Sequence, residues 1–157
     1  MGEVSSVTAA IQQRAPSETI RSLGDMPKAD YVDTFEASSV PDRPVQEWAR
    51  AALEHGAGRG GRFLWQRILG LRLNKGAPDD HIAGWQIGAS GENWIRLEAS
   101  SPLMTAHVVI QAGKSDLVVT TLVRYKNQIG HLLWAVVSNA HRAAVPGLIR
   151  KAIHELG

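Results

Sequence analysis

"GHLLWAVVSNAHRAAVPGLIRKA", Gly130 to Ala152, is the stretch whose reading decides the fold. It reads as a helix, in a C-terminal segment that alone is long and apolar enough to cover a sheet. At about 100° per residue, Leu132, Leu133, Val136, Val137, Ala140, Ala143 and Ala144 gather about one direction. Leu148, Ile149, Ala152, Ile153 and Leu156 gather roughly 160° away on a straight helix. One straight helix cannot bury both stripes against one surface. Pro146 offers a reason for the mismatch: it donates no hydrogen bond, and its ring clashes with the carbonyl four residues earlier. Gly147 adds backbone freedom. The pattern predicts a kink or a break at Val145-Pro146. It also puts His141, with Trp134 seven residues before it on the same flank, at the boundary between core and solvent.

Working outward, the sequence before this helix is rich in strand signals. "DLVVTTLVRYKN" and "LMTAHVVIQAG" flank "GKS", and "NWIRLEASS" and "IAGWQIGAS" flank "GE". Each pair reads as a hairpin. In these runs alternate residues are apolar, as in Met104, Ala106, Val108 and Ile110, which predicts an antiparallel sheet with one packed face. Further upstream, "PVQEWARAALEHG" has Pro44 at the start and Gly56 at the end, the asymmetry of a helix. "GRFLWQRILGLRL" reads as a second helix, and "ADYVDTFEA" as a first strand. Residues 1–27 are polar and read as a loose N-terminal arm, with a helical turn at "SETIRSL" capped by Ser17. The remainder, 28–157, reads as a single domain. Strands segregate from helices, so the class is α+β.

Composition sets the bounds. The chain has 157 residues, 44% hydrophobic and 20% charged, with a net charge of +2 and no cysteine. That length fits one core. Disulfides, thiolate metal sites and cysteine nucleophiles are excluded. No dense basic stripe suggests nucleic acid as a partner. No apolar run approaches the roughly 20 residues of a membrane span, and the N-terminus lacks a signal-peptide core. These features predict a cytoplasmic protein.

An antiparallel curved sheet after a strand-helix-helix opening, gripped by a long C-terminal helix, resembles the helix-grip, START-like (SRPBCC) superfamily. Two stretches are similar to a small bacterial family defined only as a domain of unknown function. One is "DYVDTF", with Asp30, Tyr31, Asp33 and Phe35. The other is "TTLVRYKNQIGHLLWAVVSNAHRAAVP", with Thr121, Val123, Asn127, Gly130, Trp134, His141, Arg142 and Pro146. His131 and the "SNA" before His141 depart from the family's pattern. The resemblance implies a cavity between helix and sheet, and no particular chemistry.

Several clusters compete for a functional role. "GAGRGG" contains Gly56, Gly58 and Gly61 at dinucleotide-loop spacing, but a helix precedes it where a strand is required, so it reads as a linker. Asp79, Asp80 and His81 are adjacent and lack the spacing to converge on a metal. Arg96, Glu98, His107 and Arg124 read as a charged sheet face with cross-strand pairs. His141-Arg142 is the leading candidate. The arginine suits a two-pronged grip on a carboxylate, and the histidine suits proton exchange near neutral pH. Against this stands a structural latch, with His141 bonded to a strand and Arg142 paired with Asp30, Asp33 or Glu36. Tyr31, Trp85, Tyr125 and Trp134 join His141 and Arg142 as candidate ligand-binding residues.

The expectation is a non-catalytic binding domain for a small, mostly apolar ligand, with or without a carboxylate, and with no cofactor or metal. One alternative is a cyclase or aromatase-like enzyme with His141 as acid/base and Arg142 or Arg124 as anion clamp. Another is a protein-interaction module, a homodimer included.

Overall fold

The structure, a computed structural model, describes residues 6–11, 18–56, 58–73 and 79–157. The described elements run β1 (Ser6–Ile11), α1 (Glu18–Gly24), β2 (Tyr31–Ser38), α2 (Val45–Arg50), α3 (Gly58–Phe63), β3 (His81–Ile82), β4 (Trp85–Ser90), β5 (Trp94–Ser100), β6 (Met104–Ala112), β7 (Asp116–Tyr125) and α4 (Gln128–Leu156). Two of the helices widen before they end. α2 continues as a π-helical stretch over Ala51–Gly56, and α3 as another over Leu64–Ile68. Ser17, the expected cap of the first helix, lies outside the described residues.

The strands form one curved antiparallel sheet in the order β1-β2-β7-β6-β5-β4-β3. Residues 6–11 supply its edge strand, β1, paired with β2. The chain passes from β2 through α2 and α3 before returning as the β3–β7 meander, and β7 closes against β2 with Asp33 opposite Thr121. This is the helix-grip α+β arrangement. The run "IAGW" holds an extra hairpin: Ile82 pairs with Trp85 across a two-residue turn in which Ala83 (φ 54°) and Gly84 (φ 89°) both have positive φ. That geometry matches the right-handed twist of the flanking strands.

Each face of the sheet is covered. On one side α1 sits over Val109 and Leu122, which pack with Met26, Leu23 and Val32. Polar groups of the sheet hold the end of α1. Arg96 Nη1 donates to Leu23 O (2.9 Å), and His107 Nδ1 donates to Gly24 O (2.7 Å). A carbonyl can only accept, so His107 carries its proton on Nδ1. Arg96 also pairs with Glu98 at 2.8 Å, and Glu98 stands opposite His107 in the β5–β6 register. The charged sheet face is therefore a clamp on α1.

On the other side lie α2, α3 and α4. α4 is one helix of 29 residues with Pro146 inside it, so of the two outcomes expected there, the break does not occur. Its facing also corrects the expectation. The buried side chains include Trp134, Val137, Ser138, Val145, Ile149 and Ala152, which lie within about 60° of one direction on a straight helix. His141 belongs to the same sector. The more apolar sector, with Ile129 (66% exposed), Leu132 (60%) and Val136 (75%), faces outward. The opposed stripes are thus two sides of one helix, and only one is buried.

The start of α4 explains the Asn-x-x-Gly spacing. Asn127 Oδ1 accepts from Gly130 N (2.9 Å), satisfying a free helix donor, and Asn127 Nδ2 donates to Pro102 O (3.2 Å). Gly130 lies so close to the β5–β6 turn that a Cβ there would sit 2.2 Å from Leu103 O. Asn127 and Gly130 together set where α4 crosses the sheet.

Candidate functional site

Between α4, the two π-helical stretches and the inner face of the sheet lies a cavity with about 80 Å³ for the centres of water-sized molecules. One water needs roughly 10–15 Å³ on that measure, so the space admits a small organic group. The walls are almost wholly carbon. Trp85, Val108 and Val123 come from the sheet, Leu53 and Trp65 from the π-helical stretches, and Trp134 and Ile149 from α4. Thr121 and His141 bring polar side chains to the wall. π-helical turns often mark functional sites because the widened turn re-aims side chains. Here both contribute to the wall.

A polar cluster lies where α4 meets β2. Asp33 is 1% exposed, buried on the inner face of β2. Its Oδ2 accepts a hydrogen bond from Tyr31 Oη and lies 3.0 Å from His141 Nε2. The His141 contact is close enough for an ion pair, but it is not aligned as a hydrogen bond, and Nε2 has no hydrogen-bond partner among the described residues. Arg142 Nη1 donates to Tyr31 Oη at 3.3 Å, and its Nη2 donates to Asn139 Oδ1. Trp134 stands edge-on to Tyr31 (5.2 Å between ring centres) and tilted against His141 (5.3 Å). Burial pushes the Tyr31 phenol well above its ordinary pKa, and the hydrogen bond to Asp33 pushes it further in that direction. A neutral Tyr31 keeps donating to the carboxylate.

The six candidate ligand residues therefore separate. Trp85, Trp134 and His141 border the cavity. Tyr31 and Arg142 stand behind them: Tyr31 connects to the wall through Trp134 and Asp33, and Arg142 through Tyr31. Tyr125 lies at the end of β7, stacked on His131 at 4.8 Å, and its backbone N–H donates to Asp30 Oδ2. The alternatives of latch and site for His141 meet in one residue, since it ties α4 to β2 and also faces the cavity. Its strand partner is Asp33, and the arginine beside it goes to Tyr31 and Asn139. Arg124, the other proposed clamp, is exposed on β7.

The sequence marks Trp65 as one of five tryptophans able to line a cavity but does not single it out as a site residue, does not point to Thr121 as a wall residue, and gives Asp33 only as a partner for Arg142 and as part of the "DYVDTF" resemblance. Thr121 was legible by alternation with Val119 and Val123. The facing of Trp65 was not, because a π-helical stretch shifts the facing that a 3.6-residue period implies. Elsewhere, His81 Nδ1 and Asp80 Oδ1 are 2.8 Å apart, and this contact lowers the Asp80 pKa. Among the described residues no group of three or more His, Asp or Glu could hold a metal, and no helix is long and apolar enough to cross a membrane.

Comparison with known proteins gives a family and no activity. A family model described as "Protein of unknown function (DUF2867)" matches residues 26–148, and the chain belongs to that family. No curated protein matches at a significant level. Among solved structures the chain is similar to the crystal structure of Ara h 8.0201, with 14% identity over 78% of this chain and 99% of that one, and a TM-score of 0.37.

Proposed function

We propose that this member of the DUF2867 family is a non-catalytic binding protein whose small, mostly apolar ligand occupies the cavity between the sheet and α4. The observation that carries the reading is the cavity itself, walled by Trp65, Trp85 and Trp134. Binding pockets for small molecules are largely apolar and aromatic, with few polar groups placed to orient the guest. Thr121 and His141 fill that orienting role. Burying an apolar ring there gains about 25 cal/mol per Å² of area removed from water. The three tryptophans make the test direct. Intrinsic fluorescence titrated with single-ring aromatics, short-chain fatty acids and aromatic polyketides should change saturably for at least one class. A flat response to all of them, with a solidly packed interior in a crystal structure, would refute the reading.

A second reading draws on the Asp33–His141 contact. A histidine at a cavity wall, backed by a buried carboxylate at 3.0 Å, has the arrangement of a general base and its orienting partner. On this reading the chain is a cyclase-like enzyme. Asp33→Asn would then abolish turnover of a candidate substrate while leaving its binding intact. If Asp33→Asn leaves turnover unchanged, His141 is not acting as that base.

A further inference from the structure

We infer that the cavity's ligand carries a hydrogen-bond-accepting oxygen on its apolar body, as a ketone, enone or ester does. This rests on the binding reading above and specifies the chemistry of the guest.

The inference comes from donors left without partners. The indole Nε1 atoms of Trp85 and Trp134 are buried and have no hydrogen-bond partner among the described residues. Both residues border the cavity, and they are 3% and 4% exposed. An indole N–H can only donate. Buried donors in native proteins are almost always paired, so two unpaired ones on residues that line one cavity call for an explanation. Thr121 Oγ1 is the wall's one hydroxyl acceptor, and no hydrogen bond links it to either indole. Asp33 contacts Tyr31 and His141 through Oδ2 and keeps a buried Oδ1 without a hydrogen-bond partner among the described residues, but it does not border the cavity and no hydrogen bond links it to either indole. Trp48 Nε1 is also unpaired, but Trp48 does not border the cavity and has no part in the proposal.

These donors discriminate between guests. A carbonyl oxygen offers lone pairs to either N–H and itself donates nothing. A hydrocarbon leaves both donors unpaired. A protonated amine sets donor against donor. The carbonyl compound is therefore the best complement to the wall.

Calorimetric titration with two small probes of matched shape, acetophenone and ethylbenzene, tests this. Hydrophobicity alone favours ethylbenzene. The inference predicts that acetophenone binds at least about tenfold more tightly, the scale of one well-placed hydrogen bond in a dry site. Trp85→Phe and Trp134→Phe each remove one indole donor, so each should bring the ratio of acetophenone to ethylbenzene affinity down toward one, whatever the absolute affinities become, and circular dichroism shows whether each variant is folded. If the two probes bind equally, or if the preference survives both substitutions, the inference is overturned and the binding reading stands. If neither probe binds, this inference is overturned, and the binding reading is decided by the fluorescence panel and the crystal structure described above.

Discussion

Two glycine-to-alanine substitutions in α4 should move stability in opposite directions. At Gly147 a new methyl group meets nothing within 4 Å, and the residue is helical. Replacing a mid-helix glycine by alanine there should stabilise the protein by about 0.5–1 kcal/mol. At Gly130 the same methyl would lie 2.2 Å from Leu103 O, far inside the 3.4 Å where ordinary contact begins. The obstacle is a backbone carbonyl, held by Lys126 N at 2.9 Å next to the Asn127–Pro102 bond. Relief requires α4 to lift or the turn to move, and either loosens the Asn127 cap. Overpacking costs about 1–3 kcal/mol and a lost cap about 0.5–2, against at most about 1 from helix propensity. The expected net loss is about 2–3 kcal/mol. With a slope near 2 kcal/mol per molar urea, the Gly130→Ala midpoint should fall by about 1–1.5 M, and that of Gly147→Ala should rise by a few tenths. If both midpoints rise, or both fall by similar amounts, α4 does not approach the β5–β6 turn as described.

Other expectations follow from the facing of α4 and its polar contacts. Val136 is 75% exposed and Val137 8%, so Val137→Asp should cost about 3 kcal/mol or more while Val136→Asp stays within about 0.5 kcal/mol, as read by urea unfolding. Equal costs would mean that the helix presents a different side. A double-mutant cycle of Asp33→Asn and His141→Gln should give a coupling of about 1–3 kcal/mol, and strict additivity would show that the contact has no energetic content. The pKa values of both tyrosines, Tyr31 and Tyr125, are raised, chiefly by burial. Above about pH 10 the folded chain therefore binds more protons than the unfolded one, and stability falls as pH rises. Phenolate absorbance should accordingly lag behind that of free tyrosine at pH 10. A titration matching the free amino acid would contradict the burial of both rings.

Much of the fold was legible because strand alternation and turn residues are local signals. The β4–β7 meander and the gripping helix follow from them. What sequence could not supply was the choice between two sides of α4. Leu132 and Val136 are more apolar than Ser138 and His141, and a hydrophobic count favours them. Yet Asp33 on β2 gives His141 a partner, Trp134 packs between Tyr31 and His141, and Gly130 lets the helix approach only on that side. Burial there is set by shape and pairing as well as by hydrophobicity. The same long-range pairing hid part of the candidate site. Asp33 and His141 are remote in sequence and meet only once β2 has paired with β7. Trp65 reaches the cavity from a π-helical stretch whose spacing no helical period foretells.

The central claim is an apolar binding cavity under α4, and a crystal structure of the protein soaked with ethylbenzene tests it most directly. The account predicts electron density for the ring between Trp85, Trp134 and His141, with α4 in place. A cavity that stays empty at saturating probe, or a probe bound only outside this wall, would contradict it.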